Sequence, residues 1–529
     1  MTYRAHDWIK HHARRRPDHA ALVDVEAGVE LTYAELNRKI DRCAAFLHAE
    51  HQVAAGDRVA ILCQNCPEVF VIEFACARLR AIFLPLNWRL ANSELDYLIS
   101  DATPRIVFAD DQHIGRAQQV CEQRPESIAM AIGESTDFEK ILAKILAIGD
   151  HSLPPLPAAD FDDVWMILYT SGTTGRPKGA TLTHGQNYLQ AVGLGAEYGV
   201  THETVGLTYT PTFHASGLFM FAHPTLLFGG TTHLMRSFDA QTVLNMMTDR
   251  SLGLTHSLAI PTNLLMIRNL PDFEKADFGN MVIPSGGAPV PGALIKTFSE
   301  HGAQVPQVWG MTELSGVSTS LPPDKAIEKA GSCGPPLMNI DVAVIDEHDN
   351  FITTANVTGE LVARGPMITR GYWGMGDANA QFYLEGQWFR TGDAGKIDEE
   401  GYVTIIGRWK DMYISGGENV YPAEVEEVIY QLPAVDEVAV IGTPHELWGE
   451  TGMACIVIKP DQELSETDVT EHCLAELAKY KVPKVVQFLE ELPHSANGKI
   501  LKHVLRDSLG IADELDRTLR SKSEEGNHA

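Results

Sequence analysis

The sequence lacks an apolar run long enough to cross a membrane. Its best candidate, "VFVIEFACARLRAIFL" at residues 69–84, contains Glu73, Arg78 and Arg80, whereas a membrane helix needs about 20 mostly apolar residues. We therefore predict a buried helix at this position. The basic residues near the start of the chain precede no apolar stretch of the signal-peptide kind, and the cytoplasm is the expected location.

Basic residues are scarce relative to acidic ones. The chain has 42 lysine and arginine residues against 70 aspartate and glutamate residues, which gives a formal net charge of −28. A surface of this sign repels nucleic acid and anionic lipid at long range. We therefore predict no nucleic-acid partner and no stable insertion into a membrane.

Cysteine is also sparse, with 8 residues among 529. Cys63 and Cys66 are close in sequence, but neither a second pair nor histidines follow at the spacing of a zinc finger. In a reducing compartment such a pair is more often structural. The sequence therefore predicts two reduced thiols at a turn between a strand and a helix, rather than a metal or redox site.

Strands and helices alternate in the first part of the chain. "DRVAILC" at residues 57–63 is typical of a buried strand, a helix is expected around residues 68–81, and "AIFLPLN" at residues 81–87 is the next strand. Such βαβ units form a parallel sheet with helices on both faces. From residue 341 to residue 408 the pattern changes to short alternating strands with turn residues between them, which indicates an antiparallel or barrel-like subdomain.

The chain is too long for one hydrophobic core, so more than one domain is expected. We predict an α/β fold whose large N-terminal domain, residues 1–409, contains two doubly wound sheet subdomains and the small β-barrel-like subdomain. After Arg408 the pattern becomes that of a small α+β domain, residues 410–529. The tail after about residue 515 is expected to be disordered.

Glycine and hydroxyl residues are concentrated in "YTSGTTGRPKGA", residues 169–180. An apolar strand precedes this turn, its backbone amides can converge on an anion, and Lys178 adds a positive charge, which is the composition of a phosphate-binding loop. It is not a P-loop, because Gly172 and Gly175 are three residues apart and "RPKGATLTH" continues as a strand. Taken alone, such a segment is more often a flexible linker.

Five motifs occur in order between residues 169 and 502: "YTSGTTGRPKGA", "VWGMTELS", "WFRTGDAG", "GRWKDMYISGGENVYPAEVE" and "LPHSANGKILK". Together they resemble the adenylate-forming superfamily of acyl-CoA synthetases, luciferases and peptide-synthetase adenylation domains. The resemblance covers nearly the whole chain. It implies that ATP and a carboxylic acid form an acyl-adenylate and pyrophosphate, after which a thiol attacks the adenylate.

Adenylation brings a carboxylate up to a triphosphate, so cations must offset the developing negative charge. Lys499 resembles the family's lysine that reaches the α-phosphate and the attacking carboxylate during adenylation alone; without the family it would be a solvated lysine near a turn. The family's glycine-rich loop binds the β- and γ-phosphates. The resemblance assigns this role to Thr170, Ser171, Gly172, Thr173, Thr174, Gly175 and Lys178.

The segment "VWGMTE" resembles a family motif in which an aromatic ring packs on adenine, a threonine contacts the α-phosphate and a glutamate helps to hold Mg²⁺. Tyrosine is commoner than tryptophan at the aromatic position, but either ring can stack. In isolation the segment would be a strand end with a capping Thr-Glu pair. The resemblance assigns four residues to the ATP site: Trp309, Gly310, Met311 and Thr312. It gives Thr312 and Glu313 catalytic roles and assigns Mg²⁺ to Thr170 and Glu313.

Other motifs supply the remaining predicted site. Asp393 resembles the carboxylate that binds both ribose hydroxyls, although aspartate is common in turns. Arg408 is expected to contact the ribose or a phosphate, and Lys410 matches the hinge about which the small domain turns between the two half-reactions. "SGGAP" resembles a wall of the adenine site at Gly287, Ala288 and Pro289 and of the acyl site at Ser285 and Gly286. The CoA channel is expected beside Ser415, Gly416 and Gly417.

The acyl site is expected around "PTFHASGLFMF", in which Phe213 and His214 resemble the aromatic-histidine pair that borders and gates the acyl group. Histidines at such positions are also often structural. The residues at 218–221, with Met311 and Leu314, are apolar. They suit a medium acyl chain or an aromatic ring, and no charged group indicates a dicarboxylate or an amino acid.

The leading prediction is an AMP-forming acid–CoA ligase that uses ATP, CoA and Mg²⁺ and acts on a medium-chain fatty acid or an aromatic acid of the hydroxycinnamic type. One alternative is an adenylation enzyme that loads a carrier protein, which usually needs an aspartate for an α-amino group. Another is a nucleotide-binding ATPase without acyl chemistry. Many members of the superfamily pair, so a homodimer is also considered.

Overall fold

The computed structural model describes residues 3–132, 157–170, 177–288, 290–415, 418–445, 448–494 and 500–511. Contacts divide the chain into two compact units. The first unit consists of Met1–Val342, Ala363–Arg390 and Asp398–Thr404, and the second of Ala343–Val362, Thr391–Ile397 and Ile405–Ala529. The domain boundary between residues 409 and 410 stays a prediction, and the tail after about residue 515 lies outside the described residues.

Several helices begin at a side chain that caps them. Thr32 and Glu35 each accept a hydrogen bond from the other's backbone amide, which is a capping box. Ser465 and Asp468 do the same. The helices are α1 (Trp8–Arg15), α2 (Tyr33–His51), α3 (Pro67–Leu79), α4 (Asn92–Ala102), α5 (Ile114–Cys121), α6 (His184–Tyr198), α7 (Ala215–Leu218), α8 (Ala222–Phe228), α9 (Ala240–Thr248), α10 (Pro261–Arg268), α11 (Gly292–Glu300), α12 (Pro422–Ile429), α13 (Glu466–Glu476) and α14 (Lys502–Ser508).

The strands largely follow the apolar runs of the sequence. They are β1 (Ala20–Asp24), β2 (Val29–Thr32), β3 (Arg58–Leu62), β4 (Ile82–Pro85), β5 (Ile106–Ala109), β6 (Ile128–Ala131), β7 (Val164–Thr170), β8 (Lys178–Thr183), β9 (Val205–Thr208), β10 (Thr231–Leu234), β11 (His256–Ser257), β12 (Ser285–Gly286), β13 (Gln307–Met311), β14 (Gly316–Ser320), β15 (Asp341–Ile345), β16 (Phe351–Ile352), β17 (Gly359–Arg364), β18 (Tyr383–Leu384), β19 (Trp388–Ile397), β20 (Val403–Arg408), β21 (Tyr413–Ser415), β22 (Glu418–Val420), β23 (Val435–His445), β24 (Gly449–Ile458) and β25 (Val485–Phe488).

One sheet of the first unit has the strand order β6-β5-β3-β4-β7-β8. Its strands pair in parallel except for β7 and β8, which form an antiparallel pair. Val59 and Ile61 of β3 point into a core with α2 and α3, whereas Ala60 and Leu62 point into a second core with α4 and α5. Because side chains alternate along a strand, helices cover both faces, which confirms the predicted doubly wound arrangement.

A second sheet of this unit has the order β11-β9-β10-β1-β2, with β1 and β2 antiparallel and the other pairs parallel. Leu22 and Leu234 of this sheet pack in the same core as α2 and α3, while Leu207 packs with α9, α10 and α11. A short sheet, β12-β13-β14, carries the residues predicted for adenine binding. These strands bring the chain segments around Ser285 and Trp309 side by side.

Residues 341–408 form a sheet in the order β16-β15-β17-β19-β18, with β20 beside β19. β15–β16 and β18–β19 are antiparallel pairs joined by short turns, as predicted from the turn residues. The strands of this sheet are divided between the two units. The last part of the second unit has a sheet in the order β22-β21-β24-β23, with β25 beside β24, and it packs against α12 and α13. This arrangement is the predicted small α+β fold.

Cys63 and Cys66 lie at a turn between a strand and a helix, where the sequence predicted them. All 8 cysteines lie in the described part of the chain and none forms a disulfide. The Sγ atoms of Cys63 and Cys66 are 3.8 Å apart between β3 and α3. In the described ranges no group of three or more histidine, cysteine, aspartate or glutamate side chains could hold a metal ion, and no helix there is long and apolar enough to span a membrane. The candidate span at 69–84 overlaps α3, most of whose residues are buried.

Candidate active site

Thr170 and Lys178 stand at the two ends of the predicted phosphate loop. They are strand partners on β7 and β8, and the Thr170 Oγ1 atom lies 3.4 Å from the Lys178 carbonyl oxygen. β7 is fixed here because its residues at 165–168 are buried in the sheet. Outside the described residues lie Ser171, Gly172, Thr173, Thr174 and Gly175. The structure therefore places the two ends of the loop, and the roles of its residues stay predictions.

Glu313 lies next to the first of these ends. It belongs to a 3₁₀ turn, Thr312–Leu314, that follows β13, and its side chain is only 5% exposed. The Thr170 hydroxyl donates to its Oε1 atom at 3.3 Å, and the Tyr372 hydroxyl donates to the same atom at 2.7 Å. The structure thus brings together the two residues predicted to hold Mg²⁺.

Tyr372 was not predicted as a site residue. The segment around it adds to the edge of β8: the Thr181 amide donates to the Gly371 carbonyl at 3.1 Å, and the Trp373 amide donates to the Gly179 carbonyl at 2.7 Å. Lys178 Nζ lies 5.5 Å from the centre of the Tyr372 ring and 4.7 Å from that of Phe382. These rings hold the ammonium group by cation–π attraction.

Tyr383 adds a half-buried phenol near Glu313. Its hydroxyl donates to the Thr369 carbonyl oxygen, and the Thr369 amide donates to the Glu313 carbonyl at 2.7 Å. Burial, with a smaller effect of the Glu313 carboxylate, raises the pKa of Tyr383 to about 12. The phenol therefore stays neutral and a hydrogen-bond donor at physiological pH. No spacing in the sequence connects Tyr372, Phe382 or Tyr383 with Glu313, so these three were missed.

The predicted adenine segment lies on β13 and β14. Trp309 is the strand partner of Thr319 and is buried, Gly310 is exposed, and Met311 is half-buried opposite Gly316. A Cβ atom on Gly310 would lie 1.9 Å from the Gly316 carbonyl oxygen. The close approach of the two strands therefore requires glycine at this position. Thr312 follows directly and is buried.

The predicted wall segment lies beside β13. Ser285 and Gly286 form β12 and pair with Gln307 and Val308, and a Cβ atom on Gly286 would lie 2.5 Å from the Val308 carbonyl oxygen. Gly287 has φ +86°, which favours glycine. Ala288 is exposed after it, and Pro289 lies outside the described residues. Two of the site's predicted segments are thus strand neighbours.

The predicted acyl pair lies at the start of α7. Phe213 is buried, and His214 is the residue that precedes the helix, with its amide donating to the Pro211 carbonyl at 3.1 Å. Leu218 and Phe219 are buried in the core that contains α2 and α3. These two side chains therefore anchor the segment in the core. The acyl roles of Phe213, His214, Ser285 and Gly286 stay predictions.

Asp393 and Arg408 lie together in the second unit. Arg408 Nη1 is 3.0 Å from Asp393 Oδ1 and donates to the Thr391 carbonyl oxygen at 3.4 Å. The Asp393 side chain is 11% exposed and the Arg408 side chain 42%. Adjacent strands β19 and β20 carry the two residues, so the pair follows from the sheet. Their contacts with a nucleotide stay predictions.

The predicted hinge and CoA channel follow Arg408. Lys410 is exposed in a 3₁₀ turn, Trp409–Asp411, and Ser415 is buried at the end of β21. Asp411 is anchored by Arg506, whose Nη2 is 3.4 Å from its Oδ1. Beyond the described residues lie Gly416, Gly417 and Lys499. The hinge, CoA and lysine roles therefore stay predictions.

The chain has an α/β fold in which the β7–β8 hairpin, which carries the ends of the predicted phosphate loop, lies beside the buried Glu313 carboxylate. The family model described as AMP-binding enzyme matches residues 9–373, and the model described as AMP-binding enzyme C-terminal domain matches residues 424–499. The chain belongs to the family of AMP-binding enzymes. This match confirms the resemblance that the five motifs indicated.

Individual relatives match over nearly their whole length. A feruloyl-CoA synthase of an Amycolatopsis species is 38% identical over 504 residues, which are 95% of this chain and 98% of the relative. A long-chain-fatty-acid–CoA ligase of Mycobacterium tuberculosis is 37% identical over 506 residues, 94% and 97% of the two chains. The crystal structure of ATP-bound MatB from Rhodopseudomonas palustris matches with a TM-score of 0.85 and 32% identity, over 94% of this chain and 98% of that one. The predicted fold class and enzyme class are confirmed.

Proposed function

We propose that this AMP-forming acid–CoA ligase activates a medium-chain fatty acid or an aromatic acid of the hydroxycinnamic type, with Mg²⁺ as the metal. The observation that carries the proposal is the contact of Thr170 with Glu313, at 3.3 Å, because it joins the phosphate loop to the motif predicted to bind the α-phosphate. The two curated relatives support an aromatic or an aliphatic acid, since their names specify a feruloyl group and a long-chain fatty acid at nearly equal identity, 38% and 37%.

Positive groups would bind ATP and offset the charge that develops as the carboxylate approaches it. Lys178 at the end of the loop and Lys499 are the proposed cations, with Arg408 at the ribose or a phosphate and Asp393 at the ribose hydroxyls. Two unit charges about 4 Å apart attract by roughly 4 kcal/mol at an effective dielectric constant near 20. Loss of one such cation would therefore slow adenylation by orders of magnitude.

The donor set around Glu313 fits a magnesium ion that is shared with the nucleotide. One buried carboxylate and the Thr170 hydroxyl are oxygen donors, and Mg²⁺ is usually bound through one or two carboxylates together with substrate phosphates. When bound there, Mg²⁺ would neutralise phosphate charge. Thr170 and Glu313 would supply the oxygen donors, and the Tyr372 hydroxyl would orient the Glu313 carboxylate.

The proposed site also orders the two half-reactions. Thr312 and Lys499 would hold the α-phosphate and the acid during adenylation, and the movement about Lys410 would then bring the CoA channel at Ser415, Gly416 and Gly417 to the acyl group. The acyl chain would lie against Phe213, His214, Ser285 and Gly286. The nucleotide base would lie against Trp309 and residues 287–289.

A panel of acids tests the proposal. Purified enzyme is incubated with MgATP, CoA and single aliphatic or hydroxycinnamic acids, and pyrophosphate, AMP and thioester are measured. We expect AMP and pyrophosphate only when an acid is present, and a thioester with free CoA. Adenylate without a CoA thioester would favour the carrier-loading alternative. ADP as the product, or hydrolysis that does not depend on an acid, would contradict the proposal.

Lys499→Ala separates the half-reactions. We expect it to reduce adenylation by at least about 100-fold, because one cation near the reacting oxygens is lost. Thioester formation from supplied acyl-adenylate should remain within a few-fold of wild type, since the lysine is proposed to act in the first half-reaction only. Lys502→Ala on α14 is the matched control, because Lys502 is paired with Glu426 at 2.7 Å. An equal loss in both half-reactions would contradict the assignment of Lys499.

A further inference from the structure

A buried asparagine in the turn after β3 makes hydrogen bonds with every polar atom of its side chain. Asn65 is only 3% exposed. Its Nδ2 atom donates to the Thr210 carbonyl oxygen at 2.9 Å and to the Met235 carbonyl oxygen at 3.0 Å. Its Oδ1 atom accepts from the Thr212 amide at 2.8 Å and from the Thr212 hydroxyl at 3.0 Å. Because an asparagine amide has two donor hydrogens and two acceptor lone pairs, these four bonds use its whole capacity.

These bonds join two sheets of the first unit at the carboxyl ends of their strands. Asn65 follows β3 of the first sheet, whereas Thr210 and Met235 follow β9 and β10 of the second sheet. β3 pairs in parallel with β4 and β5, and β10 pairs in parallel with β1 and β9. In sheets of this kind, ligands bind outside the carboxyl ends of the strands. One side chain therefore connects the two sheets at the edge where a substrate is expected.

The segment that Asn65 holds carries the predicted acyl pair, because Thr212 directly precedes that pair in the chain. The segment is also closed by contacts of its own. The Thr210 hydroxyl donates to the Ser216 carbonyl oxygen at 3.2 Å. Gly217 packs so tightly that a Cβ atom there would lie 2.3 Å from the Pro211 carbonyl oxygen. These contacts keep the segment together, and Asn65 ties it to the end of β3.

We propose that Asn65 is a positioning residue for the acid substrate, which sets the place of the acyl pair by holding Thr212 against the end of β3. This inference rests on the proposed function, in which the pair borders the acyl group. Asn65 does not touch the acid, since it is buried and its hydrogen bonds are used. Thr170 and Glu313 of the proposed ATP site are held by other contacts, those of the β7–β8 pair and of Tyr372. Loss of the Asn65 amide should therefore weaken binding of the acid and leave binding of ATP nearly unchanged.

Separate titrations of acid and ATP test this inference in the full-length enzyme. Pyrophosphate release is measured with octanoic acid or 4-hydroxycinnamic acid, whichever wild type uses faster. We expect Asn65→Ala to raise KM for the acid by about tenfold or more, because a small displacement of a substrate-binding segment has a large effect, and to keep KM for ATP within about twofold of wild type. A purely structural role would give a different result: fewer folded molecules lower the apparent kcat and leave both KM values unchanged.

Thr212→Val is the milder second variant. It removes only the hydroxyl that donates to Asn65 and keeps the backbone amide, so we expect KM for the acid to rise about threefold. Thr231→Val is the matched control, because its buried hydroxyl donates to the Ala20 carbonyl oxygen at 2.8 Å at the opposite, amino end of β10. Both KM values of this control should equal those of wild type.

The possible outcomes separate this inference from the proposed function. An unchanged KM for the acid in Asn65→Ala and Thr212→Val, or an equal rise in KM for ATP, would overturn the inference and leave the ligase function intact. If Asn65→Ala does not fold, the KM values of Thr212→Val against those of Thr231→Val decide the matter. Absence of pyrophosphate release by wild type with either acid would overturn both the inference and the proposed function.

Discussion

Among single residues, Glu313 has the contacts that organise the described part of the site. Its Oε1 atom accepts from both Thr170 and Tyr372, at 3.3 and 2.7 Å. Hydrogen bonds to a carboxylate are stronger than those between neutral groups. The phenol of Tyr372 therefore orients a carboxylate that would otherwise rotate, and it does so without adding charge. We assign Tyr372 a positioning role.

Tyr372→Phe tests this role. The variant removes a charge-assisted hydrogen bond worth about 1.5–3 kcal/mol, so we expect kcat for adenylation to fall about tenfold and the Mg²⁺ concentration for half-maximal rate to rise. The measurement is pyrophosphate release over a Mg²⁺ titration. Tyr33→Phe is the matched control, because its buried hydroxyl donates to the Gly230 carbonyl at 2.8 Å away from the site residues; it should lower stability and leave the Mg²⁺ dependence unchanged. A similar Mg²⁺ dependence in wild type and Tyr372→Phe would contradict the role.

His184, the first residue of α6, makes stability depend on pH. Its ring stacks on Trp165, with the centroids 4.9 Å apart and 6° between the planes. Burial lowers the pKa of its imidazole from 6.5 to about 4. Because the folded state binds the proton more weakly than the unfolded state, His184 favours unfolding as pH falls from about 6.5 towards 4, by about 3 kcal/mol at the end of that range.

Urea unfolding at pH 7.5, 5.5 and 4.5 measures this effect. Wild type should lose stability over this interval, and His184→Phe, which keeps an aromatic ring on Trp165, should lose less by up to about 3 kcal/mol. His348→Phe serves as the control, because that imidazole is exposed. Parallel pH profiles for wild type and His184→Phe would show that the imidazole does not titrate differently in the folded state.

At the scale of elements, the close pairing of β13 with β14 positions the adenine segment. The Gly310 backbone approaches Gly316 so closely that a methyl group has no room. In the same way, the pairing of β12 with β13 requires glycine at Gly286. β13 is the central strand of this sheet, so its pairing with β12 and β14 fixes the position of Trp309 and of Thr312, which follows it. The two strands and the turn Thr312–Leu314 between them therefore position these residues together.

Gly310→Ala should disrupt the pairing of β13 with β14. Its methyl carbon would lie 1.9 Å from the Gly316 carbonyl oxygen, so the strands must move apart and shift Trp309 and Thr312. A displacement of about 1 Å can cost roughly 100-fold in rate, and we expect a loss of that size in kcat/KM for ATP, measured by pyrophosphate release. Gly115→Ala is the control, because a Cβ atom there meets nothing within 4 Å. Near wild-type activity of Gly310→Ala would mean that the strands can separate without moving the site.

At the scale of the whole molecule, contacts divide the chain into two units, with Lys410 in the second. The family resemblance makes Lys410 the position about which a small domain turns. Such a movement requires the φ angle of this residue to change, whereas proline fixes φ near −65°. The hinge role therefore depends on the freedom of the φ angle at Lys410 and not on the lysine side chain.

Lys410→Pro should slow one half-reaction much more than the other, by about tenfold or more, because only one arrangement remains accessible. Lys410→Ala should support both half-reactions, since it keeps the backbone free and removes only an exposed side chain. Adenylation is measured by pyrophosphate release. The second half-reaction is measured by thioester formation from supplied acyl-adenylate and CoA. Equal rates in Lys410→Pro and Lys410→Ala would place the hinge elsewhere.

The sequence by itself determined the class of this protein and most of its elements. The alternation of apolar runs and amphipathic helices predicted the doubly wound sheet, and the capping box of Thr32 and Glu35 is formed by residues only three positions apart. These features are local, because a strand or a capped helix depends on neighbouring residues. The five ordered motifs identified the family for the same reason, since each is a short segment whose residue types are set by one chemical task.

Only the tertiary structure decided which side chains surround those motifs. Tyr372 reaches Glu313 because its segment joins the edge of β8, and Gln190 faces Gly316 because α6 packs on β14. Residues more than 50 positions apart in the chain meet in both cases, and no local pattern encodes that encounter. The physical reason is that side-chain contacts follow from how packed elements fit together, which depends on the shapes of all the surfaces involved.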